Sequence, residues 1–119
     1  MVHIKVWHLS NCSTCQRIIE ELGLNESNSE LQNIKEKNIS QKELELIVKT
    51  LEVSYEDVFS KRALKYKHIK DTLQSDEDFK KAILEEYTFL KRPVIQVGEE
   101  YFVGNSKKTV EAAKAAILR

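Results

Sequence analysis

The feature that most constrains this chain lies at its N-terminal end, where a strand pattern runs into a pair of cysteines and then into a helical pattern. Val2, Ile4 and Val6 alternate with His3, Lys5 and Trp7. That is the period of two expected of a strand built from branched and aromatic residues. Ser10-Asn11 breaks the alternation and Cys12-Ser13-Thr14-Cys15 follows. Ile18, Ile19 and Leu22 then fall at helical spacing, and Gly23 suits a helix C-terminus. Both cysteines therefore sit where a strand ends and a helix begins.

The rest of the chain alternates in the same way. Residues 24–30 are polar and turn-like, and Leu31 and Ile34 suggest a short second strand. Ser40-Gln41-Lys42-Glu43 is a capping box, in which hydroxyl and carboxylate each satisfy a backbone N–H at the helix start. Leu44, Ile47, Val48 and Leu51 supply the apolar stripe of the helix it opens. Ser54 is placed to cap a short helix over 55–59, and Ser75 one that carries Phe79, Ile83 and Leu84. Pro93, the only proline, opens Val94-Ile95-Gln96-Val97. A turn at Gly98-Glu99-Glu100 then leads to a hairpin partner, Tyr101-Phe102-Val103, which Gly104 ends. Val110, Ala113 and Ile117 mark a last helix rich in small residues. The expected order is strand, helix, strand, several helices, strand, strand, helix. No repeat, low-complexity tract or linker divides it.

A length of 119 residues fits one domain with a core that needs no disulfide staples. Nineteen basic residues balance nineteen acidic ones, so bulk charge gives no reason to expect direct binding of nucleic acid or an anionic membrane. No apolar run approaches the roughly 20 residues that cross a bilayer. Met1 to Trp7 lacks the layout of a secretory signal. The expectation is a soluble cytoplasmic protein.

In a reducing compartment, cysteines three apart are more often catalytic or metal-binding than structural. Zinc would need two further ligands, and no other cysteine exists. His3 and His8 fall on opposite faces of the first strand by parity and His68 is distant, so no metal site is expected. Two inert buried thiols are the plainer alternative, and the strand-to-helix position argues against them. A helix N-terminus offers unpaired amides and partial positive charge, which lower a thiol pKa there. Cys12, at the helix mouth, is the expected nucleophile. Cys15, a turn inside, is placed to attack an adduct on Cys12. Arg17 adds positive charge nearby.

At this point the chain resembles the glutaredoxin-related arsenate reductase (ArsC) family, which also contains the Spx-type regulators. The residues that carry the likeness are Asn11-Cys12-Ser13-Thr14-Cys15 after a strand, a helical stretch over about 40–88, Phe59-Ser60-Lys61-Arg62 within it, and Leu90-Lys91-Arg92-Pro93-Val94-Ile95 followed by Val103-Gly104. The resemblance implies an α/β, thioredoxin-like fold with a mixed four-stranded sheet and an inserted helical subdomain. The single domain, 1–119, would comprise a core of about 1–35 and 89–119 and an insert of about 36–88. It also implies that Cys12 is the catalytic nucleophile, that Arg62 and Arg92 help hold an oxyanion, and that Arg92–Pro93 is cis beside the thiol. A planar guanidinium suits the oxyanion role, because it donates two hydrogen bonds to one anion. As plain surface residues, both arginines would simply be solvated.

The family's reductases carry a third arginine just after the last strand's glycine, where this chain reads Gly104-Asn105-Ser106-Lys107-Lys108. Gln16 stands where arginine commonly follows the cysteine motif. Cys15 resembles the Spx-type pattern more than a lone active-site cysteine. Three functions stay open. One is a thiol-dependent reductase acting on an oxyanion such as arsenate, with glutathione or Cys15 as second thiol and glutaredoxin or thioredoxin as partner. Another is an Spx-like redox-sensing regulator that binds RNA polymerase. The third is a general disulfide oxidoreductase. The resemblance favours the first, with no bound cofactor.

Overall fold

A computed structural model describes residues 2–119. The chain divides into two compact units, one formed by residues up to Lys37 together with Arg92–Arg119, the other by Asn38–Lys91.

The first unit holds β1 (Ile4–His8), α1 (Ser13–Glu21), β2 (Glu30–Asn33), β3 (Val94–Val97), β4 (Glu100–Val103) and α5 (Lys107–Leu118). Its four strands form one sheet in the order β2-β1-β3-β4. β1 runs parallel to β2 and antiparallel to β3, and β3 and β4 form an antiparallel hairpin, so the sheet is mixed. Register explains the alternation in the sequence. Val6 sits opposite Leu31 on one side and Ile95 on the other, and Ile95 sits opposite Phe102. This apolar face packs with Ile18, Ile19 and Leu22 of α1 and Val110, Ala113 and Ala116 of α5 into one core. Ala113 is wholly buried; its small side chain lets α5 lie against β3 and β4. The other face carries a polar row in register, Glu30, Lys5, Gln96 and Tyr101. Lys5 is buried there. Its ammonium pairs with Glu30 at 3.1 Å and lies 4.9 Å from the Trp7 ring centroid.

Two details differ from the sequence reading. β2 ends at Asn33, so Ile34 lies just beyond the strand, where its N–H donates to the His8 carbonyl at 2.8 Å. The hairpin turn is shorter than expected, because Glu100 already belongs to β4.

The second unit holds α2 (Gln41–Leu51), α3 (Tyr66–Ile69) and α4 (Asp76–Glu85), with single 3₁₀ turns at Glu56–Val58, Lys70–Thr72 and Tyr87–Phe89. Ser40 and Glu43 close the capping box of α2, and Ser75 and Asp78 close a second one at α4. The short helix expected over 55–59 is only the first of those 3₁₀ turns. Its start is held by Asp76, whose carboxylate accepts from the Tyr55 and Glu56 amides at 3.0 and 3.1 Å. Phe59 centres the unit, in ring contact with Tyr66, Phe79 and Phe89. Among the described residues, no helix is long and apolar enough to cross a membrane.

Candidate active site

β1 delivers the chain to the site and α1 receives it. Leu9 leaves the strand, and its carbonyl accepts the Cys12 N–H at 3.0 Å, closing a tight turn over Ser10 and Asn11. Cys12 then occupies the N-cap position of α1 with extended backbone (φ −97°, ψ 107°), and its carbonyl accepts the Gln16 N–H at 3.1 Å. The position is one that serine fills at α2, α4 and α5. A thiol is a weak acceptor and a thiolate a strong one, so a cysteine here gains from ionising.

Both cysteines are free thiols, Cys12 half-buried and Cys15 fully buried. Burial pushes the Cys12 thiol up, but three donors outweigh it: the Cys15 amide, the Cys15 S–H and the Arg92 guanidinium. Its pKa is held below that of an ordinary thiol. Burial drives Cys15 the other way, to about 12, only partly opposed by the Leu9 N–H facing its sulfur and reinforced by the neighbouring Cys12. The pair is therefore divided into a thiol ready to ionise and one that stays protonated.

Arg92 is the cation that lowers the Cys12 pKa; Arg17 is exposed on α1. Arg92 stands two residues before β3, and the Arg92–Pro93 peptide is cis. The buried Pro93 offers its carbonyl to the Gly104 N–H at 2.9 Å, which ties this segment to the residue just past β4. Gly104 has φ +100°, a conformation L side chains rarely adopt. Lys107 and Lys108, which open α5 after it, are exposed.

Four of the residues expected at the site, Cys12, Cys15, Arg92 and Pro93, belong to the first unit; the structure joins Arg92 to both thiols electrostatically. Arg62 belongs to the second, in the turn that follows Ser60, with an exposed side chain. Among the described residues, no three His, Cys, Asp or Glu side chains come together as a metal site would need.

One residue was missed. His8 entered the sequence reading only as a rejected zinc ligand, yet it is buried at the end of β1 and its Nδ1 lies 3.3 Å from the Gln16 side-chain nitrogen. Burial lowers its pKa, and Glu36 only partly offsets this. Strand parity was the available signal, since it puts His8 on the same face as Ile4 and Val6, against α1.

A mixed sheet whose first strand feeds a thiol-bearing helix N-terminus, with a cis-proline before the neighbouring strand, defines a protein of the thioredoxin-like class. The sequence pattern of the ArsC family matches residues 7–113. The chain belongs to the ArsC family. Its fold is similar to that of the arsenate reductase from Vibrio cholerae, with a TM-score of 0.77 and 18% identity over 94% of this chain and 98% of that one. It is also similar to a protein from Staphylococcus aureus, with a TM-score of 0.70 and 21% identity over 92% and 96%. An arsenate reductase (ArsC) related protein from Brucella melitensis has a TM-score of 0.64 and 17% identity over 92% of each chain. No curated protein matches the sequence.

Proposed function

We propose that this protein is a thiol-dependent oxidoreductase in which Cys12 attacks a tetrahedral oxyanion, arsenate being the first candidate. The observation that carries the reading is that Cys12 stands at the N-cap of α1 with its pKa lowered by the neighbouring Cys15 and Arg92. Donors that stabilise a thiolate also suit the oxygens of an anion bonded to that sulfur. In the first step the thiolate forms a sulfur–arsenic(V) bond and an arsenate oxygen leaves, protonated, as water. In the second, another thiol attacks the Cys12 sulfur and loses its proton. The sulfur–arsenic electron pair passes to arsenic, which leaves as arsenite, and the two sulfurs remain as a disulfide.

The second thiol is glutathione or Cys15. A thiol near 12 is almost wholly protonated at neutral pH, which favours glutathione. Part of the upward push on Cys15 comes from Cys12 itself, however, and it relaxes once Cys12 carries an adduct. Glutaredoxin or thioredoxin then reduces the disulfide. The family resemblance proposes Arg62 as a further oxyanion ligand, and the Arg62→Ala variant below tests it. Lysines at 107 and 108 replace the third arginine of the reductases only as point charges, so oxyanion binding is weaker than with three forks.

The test is protection of Cys12 from alkylation by arsenate, phosphate and sulfate, run beside arsenate turnover with glutathione–glutaredoxin and thioredoxin systems. Arg92→Ala removes the protection and Arg62→Ala weakens it. If none of the three anions slows alkylation of the unmodified protein, the oxyanion site does not exist. A second reading is then left, an Spx-like regulator of RNA polymerase switched by a Cys12–Cys15 disulfide. It is supported by the Cys15 S–H facing Cys12.

A further inference from the structure

Gln16, one residue past the second cysteine, presents its side-chain amide to two acceptors. Its Nε2 donates to the Leu9 carbonyl at 3.1 Å and lies 3.3 Å from His8 Nδ1. Each contact determines the other. A carbonyl oxygen can only accept, so the nitrogen end of the amide must face Leu9. The same nitrogen then offers its second hydrogen to His8. Nδ1 must therefore hold a lone pair, and the proton of the neutral ring sits on Nε2. Burial of His8 opposes protonation of that lone pair, and the acidic group facing the ring, Glu36, reverses this only in part.

The Leu9 backbone joins this amide to the thiols. Its carbonyl also accepts the Cys12 N–H, at 3.0 Å, which uses its second lone pair. Its own N–H faces the Cys15 sulfur. The backbone of one residue thus touches both cysteines, through its carbonyl and its N–H, and the Gln16 side chain holds that carbonyl from the helix side.

We propose that Gln16 is a positioning residue for Cys12: its amide locks His8 in the Nε2–H tautomer and clamps the Leu9 carbonyl, fixing the turn that places the thiolate. This rests on the reading of Cys12 as nucleophile. Arginine in the same place cannot be expected to do this in the same way, because a permanent cation would lie against the sparsely solvated His8 ring.

The experiment compares the unmodified protein with Gln16→Met, which keeps length and removes the donor, and Gln16→Glu, which replaces donor by acceptor. Long-range proton–nitrogen NMR reads the His8 tautomer, and peptide mapping reads the rate at which iodoacetamide modifies Cys12 at neutral pH. Gln16 is exposed, so both variants should melt near the unmodified protein. The expected result is an Nε2–H tautomer in the unmodified protein. In Gln16→Met that single tautomer is lost, and alkylation slows about threefold to tenfold, the range of one net hydrogen bond. In Gln16→Glu a proton is drawn onto Nδ1 and alkylation slows as well. An Nδ1–H tautomer in the unmodified protein, or a folded Gln16→Met that reacts at the unmodified rate, overturns the proposal. If the unmodified Cys12 reacts no faster than a free cysteine, the nucleophile reading itself falls and takes this inference with it.

Discussion

The Arg92 guanidinium reaches the Cys12 sulfur from the position immediately before a cis proline. The two residues come from opposite ends of the chain, yet β1 and β3, which deliver them, are neighbours in the sheet with Trp7 opposite Val94.

Arg92→Ala should slow alkylation of Cys12 at neutral pH by about threefold to tenfold, a loss discounted for the partial exposure of both groups. Arg92→Lys should recover part of the rate, because it restores the charge without the fork. Stopped-flow alkylation of the three proteins makes the comparison. Equal rates for Ala and the unmodified protein would show that Arg92 does not act on the thiol.

Cys12 should be modified first and Cys15 only after unfolding. The Cys12 rate should rise with pH around a midpoint below that of an ordinary thiol, while Cys15, held near 12 and buried, stays protonated and unreached. Mass mapping after brief alkylation at several pH values checks this. A dominant Cys15 adduct in the folded protein contradicts the assignment of roles.

Mild oxidation should join Cys12 to Cys15, because they occupy the N-cap and the third residue of α1 and the Cys15 S–H faces Cys12. The intact mass should fall by two hydrogens. Cys15→Ser should instead accumulate a mixed disulfide with glutathione. If glutathione adducts also dominate with both cysteines present, the pair does not act as a switch.

His8 makes stability depend on pH in a defined direction. Burial lowers its pKa on folding, so the unfolded chain binds its proton more readily than the native one. The contribution of neutral His8 is complete above the unfolded value of about 6.5 and is lost as pH falls through the lower folded value. Urea melts at neutral and mildly acidic pH should show a drop that His8→Gln reduces. An equal drop in both proteins assigns the effect to other groups.

Ile18→Ala should destabilise the protein by about 2–5 kcal/mol, since Ile18 is fully buried between α1 and the sheet. Urea unfolding measures it. A loss below about 1 kcal/mol would mean that the site relaxes around the missing atoms.

Much of the framework could be read from local pattern. Val2, Ile4 and Val6 pointed to the first strand, Ser40 with Glu43 to the start of α2, Ser75 to α4, and Gly98 to the hairpin. Each of these signals acts within a few residues, through side-chain alternation or a bond to a nearby amide. The Glu56–Val58 turn and α3 were less legible, because a single turn has too few residues for a period to show.

The sequence by itself determined that a thiol stands at a helix mouth, because the strand, the break, the cysteines and the helical stripe are contiguous. It also carried the ArsC-like pattern from Cys12 to Gly104. Only the tertiary structure decided which cation meets that thiol and how deeply Cys15 is buried behind it. Arg17 is nearer in sequence, but it lies on the exposed side of α1, whereas the pairing of β3 with β1 brings Arg92 to the sulfur. His8 and Gln16 likewise read as a rejected zinc ligand and a departure from the family pattern until folding set them 3.3 Å apart. Charge and hydrogen bonding act over a few ångströms of space, and distance along the chain does not report that space until the sheet has formed.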